Sequence, residues 1–315
     1  MQTDTAFHFL LRRPFAIMAL ALVLFLSMAH DVAGLTIDAD RQYGFAQSRF
    51  EADAYSQAII EFNRFIHFFP SDPRIPRAWF LTGMAHYRMG DYQAAAAVFN
   101  RLTDNYQGSP IQNKAFFMLS RSHARQGMIE QAMLDLHNLL AVASNKDVID
   151  RARYELGWLH VDQGRWQLAD DTFSAITAAN QDRLKVSSLK ETLSRSGEIP
   201  TKNPTTAGVL SIVPGGGQLY TGRYQDALTA FLINAGLIWA AWESFDEDLI
   251  GLGSVIAFVG VGFYAGNIYG AISSAHKYNR DRVSEFKNHL NRHRLMPLAV
   301  APVSGGAALS LSIDF

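Results

Sequence analysis

The sequence predicts an all-α chain: a helical-repeat solenoid followed by a transmembrane or membrane-embedded helical hairpin. Two observations carry this reading. Small and aromatic residues recur every 37 positions between 40 and 179, and two long apolar runs, 227–242 and 249–271, lie close together in the second half. Composition agrees, because 49% hydrophobic residues with a mean hydropathy near zero suit a chain that is part water-soluble and part apolar. Lys+Arg 28 against Asp+Glu 29 leaves a net charge of −1, so no global basic field exists to drive sequence-independent nucleic-acid binding, and no nucleic acid is expected as partner. The absence of cysteine excludes disulfides, thiolate nucleophiles, Cys-ligated zinc and a lipidated N-terminal cysteine.

Taken in order, Arg12 and Arg13 precede an apolar run from Phe15 to Leu26, followed by Ser27, Met28 and Ala29. As a helix the run rises only ~18 Å, short of a hydrocarbon core, so residues 1–29 read as a signal peptide cleaved before His30. An uncleaved anchor is the other reading. From 40 to 179 four copies keep register: Ala46, Gly83, Ser120 and Gly157; Asp53, Gly90, Gly127 and Gly164; Ala58, Ala95, Ala132 and Ala169; Phe62, Phe99, Leu136 and Phe173. The first set lets two antiparallel helices approach closely, and the second ends the first helix where the turn needs left-handed φ. The alanines give a second close contact. The large apolar residues lie four positions further on, on the same face, and fill the space between helix pairs.

The second copy, AWFLTGMAHYRMGDYQAAAAVF, with Trp79, Gly83, Tyr87, Gly90, Tyr92, Ala95 and Phe99, resembles the tetratricopeptide repeat. That repeat usually has ~34 residues, so the extra ones fall between copies, at Pro70-Ser71-Asp72-Pro73 and Gly108-Ser109-Pro110. The longer form is similar to periplasmic repeat proteins of the outer-membrane assembly and Tol-Pal systems. The resemblance implies a partner-binding groove lined by the first helix of each pair: Arg77, Phe80, Met84, Tyr87 and Arg88, then Lys114, Phe117, Arg121 and Arg125, then Arg151, Tyr154 and Trp158. Bases mixed with aromatics suit an acidic, partly apolar peptide segment; a solvated helix face with aromatics buried between repeats is the alternative. The asparagines of the chaperone-binding carboxylate clamp are missing, so that ligand is not inferred. His86, His123 and His160 also recur at 37, but equivalent helices stack ~10 Å apart, too far to share one ion, and a packing role is expected. His289 and His293 lack the intervening glutamate of a zinc-protease helix and read as surface residues.

Residues 180–205 read as a linker. The module at 206–282 opens with an apolar approach and the break Pro214-Gly215-Gly216-Gly217, expected to be a re-entrant or interfacial membrane turn, since no Lys-Ser/Thr follows to make a phosphate loop. The run 249–271 is long enough to span; the run 227–242 barely is. Glu243, Asp246, Glu247 and Asp248 lie between them, and Lys277, Arg280, Arg282, Lys287, Arg292 and Arg294 follow as a basic tail. Gly262, Gly266 and Gly270 recur every four residues as a helix-packing stripe for the partner arm or for a second subunit, leaving a homo-oligomer open. PGGGQLYTGRYQDAL, FLINAGLIWAAWESF and GNIYGAISSAHKYNR together resemble a bacterial envelope membrane module of unassigned function. Residues 283–315 hold the end of the basic tail and a terminal β-hairpin, with a turn at Ser304-Gly305-Gly306 and an alternating strand from Leu309 to Phe315.

The function expected is a non-enzymatic, membrane-tethered interaction scaffold of the bacterial cell envelope that binds peptide segments of envelope proteins and sits in membrane lipid. No catalytic residue, metal or cofactor is expected, because neither half shows an acid, base or nucleophile at catalytic spacing. A second expectation makes the hairpin the functional element, as a factor for membrane-protein insertion or outer-membrane assembly. The repeats are expected in the periplasm. The basic tail opposes that placement, because positive charge favours the cytoplasmic side.

Overall fold

Between Ala39 and Ser174 the 37-residue period becomes helix–turn–helix pairs in a computed structural model that describes residues 38–294 and the backbone of 299–303 and 306–310. The pairs are α1 (Ala39–Glu51) with α2 (Tyr55–Phe68), α3 (Ile75–Arg88) with α4 (Tyr92–Asn105), α5 (Pro110–Arg125) with α6 (Ile129–Val142), and α7 (Lys146–Asp162) with α8 (Trp166–Ser174). The fold is an all-α helical solenoid of the tetratricopeptide type. Each pair turns on the predicted residue: Asp53, Gly90, Gly127 and Gly164 have φ of 56°, 81°, 78° and 70°. Asp38, Asp91, Ser109 and Asn145 cap helix starts by accepting backbone N–H bonds from the first turn.

The small register works as expected. A Cβ on Gly83 would lie 2.7 Å from the Phe99 ring, and one on Gly157 would lie 2.5 Å from Phe173. Ser120 fits the same position and donates its hydroxyl to the Ala132 carbonyl at 2.8 Å. The chain divides into two compact units, Met1–Gln107 and Gly108–Phe315. The first has a core of Tyr43, Ala46, Ala58, Phe62, Phe65, Ile75 and Ala78. Its inter-repeat turn is held by Arg74, whose guanidinium bonds both oxygens of Asp72 and stacks over Tyr43 at 5.0 Å. These bonds hold the Asp72 carboxyl down at about 2.

In the second unit the structure departs from the expected linker. Residues 180–205 contain the end of a short helix α9 (Ala178–Gln181), then α10 (Val186–Ser194), a 3-10 turn (Arg195–Glu198) and the start of α11 (Pro204–Leu210). Val186, Leu189 and Leu193 of α10 are buried in one core with Tyr154, Trp158, Phe173 and Leu290. The polar composition of this stretch concealed an apolar face at i, i+3, i+7. After α11 come α12 (Gly216–Tyr220), α13 (Tyr224–Asp246) and α14 (Ile250–Asn291). The last two are long and apolar enough to cross a membrane. The basic tail is no separate segment, because α14 continues through it as one helix of 42 residues, ~63 Å long. Its Phe286 and Leu290 pack on the last repeat, an apolar pair four residues apart inside a basic stretch.

Strands β1 (Ala299–Val303) and β2 (Gly306–Ser310) pair antiparallel, Ala299 opposite Ser310 and Val303 opposite Gly306. The signal-peptide expectation for 1–29 lies outside the described residues, as do Ser304, Gly305 and 311–315.

Candidate protein-interaction site

The groove positions inferred from the repeat divide into two sets. Phe80 (7% exposed), Met84 (5%), Phe117 (4%), Tyr154 (7%) and Trp158 (0%) are buried, so these five serve the core and cannot line an open groove. The reason is steric: the tight helix approach at Gly83 and Gly157 brings the second helix of each pair over the aromatic residues of the first. Phe80 packs on Phe99 with ring centroids 5.6 Å apart, and Tyr154 and Trp158 pack on Phe173 at 5.9 and 6.0 Å.

The polar set stays at the surface. In the first unit Arg77 and Arg88 are exposed and Tyr87 is half-buried, edge-on to Tyr92 at 5.2 Å. In the second unit Lys114, Arg121 and Arg151 are half-buried and Arg125 is exposed. Two of these are tied to the neighbouring repeat. Arg121 on α5 bonds Glu155 on α7, and Arg151 on α7 stacks over the Phe117 ring at 5.2 Å. Glu155 was absent from the sequence-based set; its position one turn before Trp158 on the same helix was the signal that could have found it. Net charge on this face is therefore lower than the bases alone imply, because Glu155 neutralises Arg121.

The fourth repeat is already occupied by the chain itself. Lys287 donates to the Asp162 carbonyl at 2.6 Å, Arg294 lies over the Trp158 ring at 5.0 Å, and Phe286 meets Trp166 edge-on at 5.1 Å. The end of α14 thus packs in one core with Tyr154 and Trp158, and couples the last repeat to the apolar hairpin through a continuous helix.

The three in-register histidines have three environments. His86 faces Asp91 at 3.4 Å, His123 bonds Asp135 at 2.6 Å, and His160 is buried with no partner for Nδ1 among the described residues. Burial pushes the His160 imidazole below its usual value, and nearby Arg165 adds to the effect. Burial likewise raises Asp135, against the opposing bond from His123. Asp150 behaves differently: burial would raise its carboxyl, but bonds from the Thr177 hydroxyl, the Asn180 amide and the Thr177 N–H outweigh it and the net shift is downward. No three His, Asp or Glu residues gather into a metal-binding cluster among the described residues.

In the hairpin module the glycine triplet makes a crossing point. Added Cβ atoms would meet the Ala227 carbonyl at 2.3 Å from Gly215, the Leu210 carbonyl at 2.3 Å from Gly216, and the Ala207 carbonyl at 2.1 Å from Gly217. Pro214 precedes this point, and the apolar Ile212 and Val213 at the turn are each 64% exposed. Asn267 locks the turn from α14: its Nδ2 donates to the Ser211 carbonyl at 3.0 Å and its Oδ1 accepts from Gly215 N–H at 3.1 Å. Asn279 clasps Lys202 in the same way, at 2.7 and 2.9 Å. The glycine stripe does not pack the two arms together. Gly262 and Gly266 have nothing within 4 Å of an added Cβ, and only Gly270 approaches a neighbour, Gln218, at 3.6 Å. The arms meet instead at Gly253 against Phe245.

Comparison with known proteins agrees with the repeat architecture. Residues 43–110 match the family model "Tetratricopeptide repeat". No curated protein matches the chain. Among solved structures it is similar to YrrB, described as "a TPR protein with an unusual peptide-binding site", at 16% identity and TM-score 0.39, covering 51% of this chain and 78% of that one. A tetratricopeptide repeat protein from Parabacteroides merdae aligns at 15% identity and TM-score 0.42, covering 80% and 98%. A Rap protein complexed with Competence and Sporulation Factor aligns at 13% identity and TM-score 0.39, covering 85% and 80%.

Proposed function

We propose that the chain is a membrane-tethered interaction scaffold of the bacterial cell envelope, whose repeats recruit acidic peptide segments of envelope proteins. The observation that carries the reading is the coupling of an interaction fold to an apolar hairpin through α14, whose far end is built into the core of the last repeat at Leu290. Arg77 and Arg88, both exposed, supply the recognition charge, and Tyr87 supplies apolar contact. Holding the repeats at a membrane raises the effective concentration of any partner in the same membrane, so modest affinity suffices. No residue is assigned a catalytic role. The domain limits that follow are a signal at 1–29, repeats over 40–179 with α10 as their cap, and a hairpin module over 206–282 resembling the envelope module. The hairpin turn at Pro214–Gly217 lies at the membrane interface.

The repeats belong in the periplasm on this reading, because Arg12-Arg13 and the apolar run after them have the layout of an export signal. Since Leu290 packs on the last repeat, the repeats and the basic end of α14 share one side of the membrane, and Asp246 lies on the other. Reporter fusions after Thr201, Asp246 and Asn291 test this: periplasmic, cytoplasmic, periplasmic is expected, and a cytoplasmic signal after Thr201 would sink the periplasmic placement.

Binding is tested on the full chain in nanodiscs with a fluorescent peptide of acidic and aromatic residues. Arg77→Glu with Arg88→Glu should weaken binding by about tenfold, from roughly 0.5–1 kcal/mol per exposed charge contact, and the loss should shrink in high salt. Unchanged affinity at low salt would reject the basic surface as the site.

A further inference from the structure

The two arms of the hairpin leave an open cleft of about 500 Å³ between them. Its walls grade from polar to apolar along the helices. Asp226 and Thr229 of α13 and Asn267 of α14 lie toward the start of α13, and Ile233, Phe263 and Gly262 lie deeper. Gly262 and Gly266 help to keep the cleft open, since a Cβ on either would meet nothing within 4 Å. From Asp226 to Asn234 the α13 wall runs ~12 Å, as does the α14 wall from Asn267 to Val259, close to the ~15 Å hydrocarbon depth of one leaflet.

Cations stand at the polar end of this cleft. Arg223, one turn before Asp226, pairs with that carboxylate and donates to the Ser274 hydroxyl of α14 at 2.9 Å, so it bridges the two arms at the mouth. Lys277 lies three helical turns past Gly266, and Arg280 five turns past Gly262, so both fall on the face of α14 that lines the cleft. Both are exposed, and neither is in an ion pair among the described residues. Side chains lean toward the N-terminus of their helix, which carries these two back toward the cleft. Asp281 is exposed beside Lys277; with Asp226 it sets two carboxylates against three cations, and the mouth keeps a positive charge.

We infer that the cleft is a binding site for an anionic phospholipid, with one acyl chain lying between the arms over Gly262 and Gly266 and the phosphate held at the mouth between Lys277 and Arg280. The polarity of the walls matches an amphiphile, polar at the mouth and apolar within. Unpaired bases placed where a helix leaves the bilayer attract an anionic headgroup. A second copy inserted in the same direction would instead bring its own Lys277 and Arg280 to the same mouth, like charge against like. The inference rests on the membrane reading of α13 and α14.

The full chain, purified in detergent, is titrated with phosphatidylglycerol, phosphatidylethanolamine or glycerol phosphate and read by native mass spectrometry. One phosphatidylglycerol should be retained per chain, several-fold more readily than phosphatidylethanolamine, and glycerol phosphate should not compete. Lys277→Ala with Arg280→Ala should lower the affinity about tenfold, and less in high salt. Gly266→Leu, at a position with nothing within 4 Å, should fill the cleft and abolish retention, whereas Val261→Leu, at a site 69% exposed and outside the cleft lining, should leave it unchanged. The exposed Lys277 and Arg280 pair keeps the test standing should Gly266→Leu misfold. Equal retention of the two lipids, retention by folded Gly266→Leu, competition by glycerol phosphate, or a lipid-free dimer would overturn the site. Recovery of the wild-type chain in the aqueous fraction after alkaline carbonate would instead overturn the membrane reading beneath it.

Discussion

Leu290→Ala should release the end of α14 from the last repeat without unfolding the repeats themselves. Leu290 is fully buried, in contact with a core that contains Trp158, Phe173, Val186 and Leu189, each also fully buried. Truncation of such a leucine costs about 2–5 kcal/mol, the transfer loss plus the cavity left behind. The Phe286–Trp166 and Lys287–Asp162 contacts are the same in both chains, so they do not offset the loss. The Arg294–Asp162 pair is 4.0 Å apart with both side chains more than one-third exposed, and such pairs contribute about 0–1 kcal/mol. Taking a loss near ~3 kcal/mol, the docking equilibrium shifts by about two orders of magnitude, since ~1.4 kcal/mol is tenfold. Hydrogen exchange on the full chain in detergent measures it: amides of 284–294 and of the covered segment 154–161 should lose protection together, with 206–270 unchanged. Unchanged exchange in 284–294 would refute the claim that Leu290 holds this helix end. If instead the whole second unit lost protection, the docking would be integral to the fold, and the two-part description would fail.

Gly217→Ala should disrupt the turn of the hairpin module, because a Cβ there would sit 2.1 Å from the Ala207 carbonyl and 2.5 Å from Ala271 Cβ, rigid atoms that cannot yield cheaply; an overpacking cost of about 1–3 kcal/mol or more is expected in detergent unfolding, and an unaltered midpoint would contradict the close crossing. Asp150 gives a pH prediction. Its folded pKa is depressed, so the unfolded chain binds the proton more readily, and its contribution is present above the unfolded value of ~3.9 and lost as pH falls from there through the folded value. Melting temperatures of wild type and Asp150→Asn measured from pH 6 to pH 3 should therefore converge toward the acid end, and parallel curves would reject the assignment.

The repeats were legible because their physics is local and periodic. Four left-handed turn positions, four small residues and four alanines were fixed by spacing alone, and all fall where helix pairs turn and touch. The apolar spans were legible for the same reason, as continuous runs. What spacing could not supply was which side of each first helix stays open. Phe80, Met84, Phe117, Tyr154 and Trp158 share a helix with exposed bases, and only the depth of the inter-helix approach at Gly83 and Gly157 decides that they are core.

Long-range pairings were equally hidden. Asn267 reaches back more than fifty residues to Ser211 and Gly215, and Asn279 reaches back to Lys202, bonds that no window of sequence contains. The sequence by itself determined the repeat, its register, the two apolar helices and the lack of cysteine chemistry, because each is a property of composition or of one helix at a time. Tertiary structure alone decided that the stretch after the repeats is a packed helix, that a basic tail ends as the cap of the last repeat, and that Gly262 and Gly266 of the glycine stripe stay exposed. Each depends on which apolar faces find one another across the chain, and burial is a property of that meeting, never of the residues taken singly.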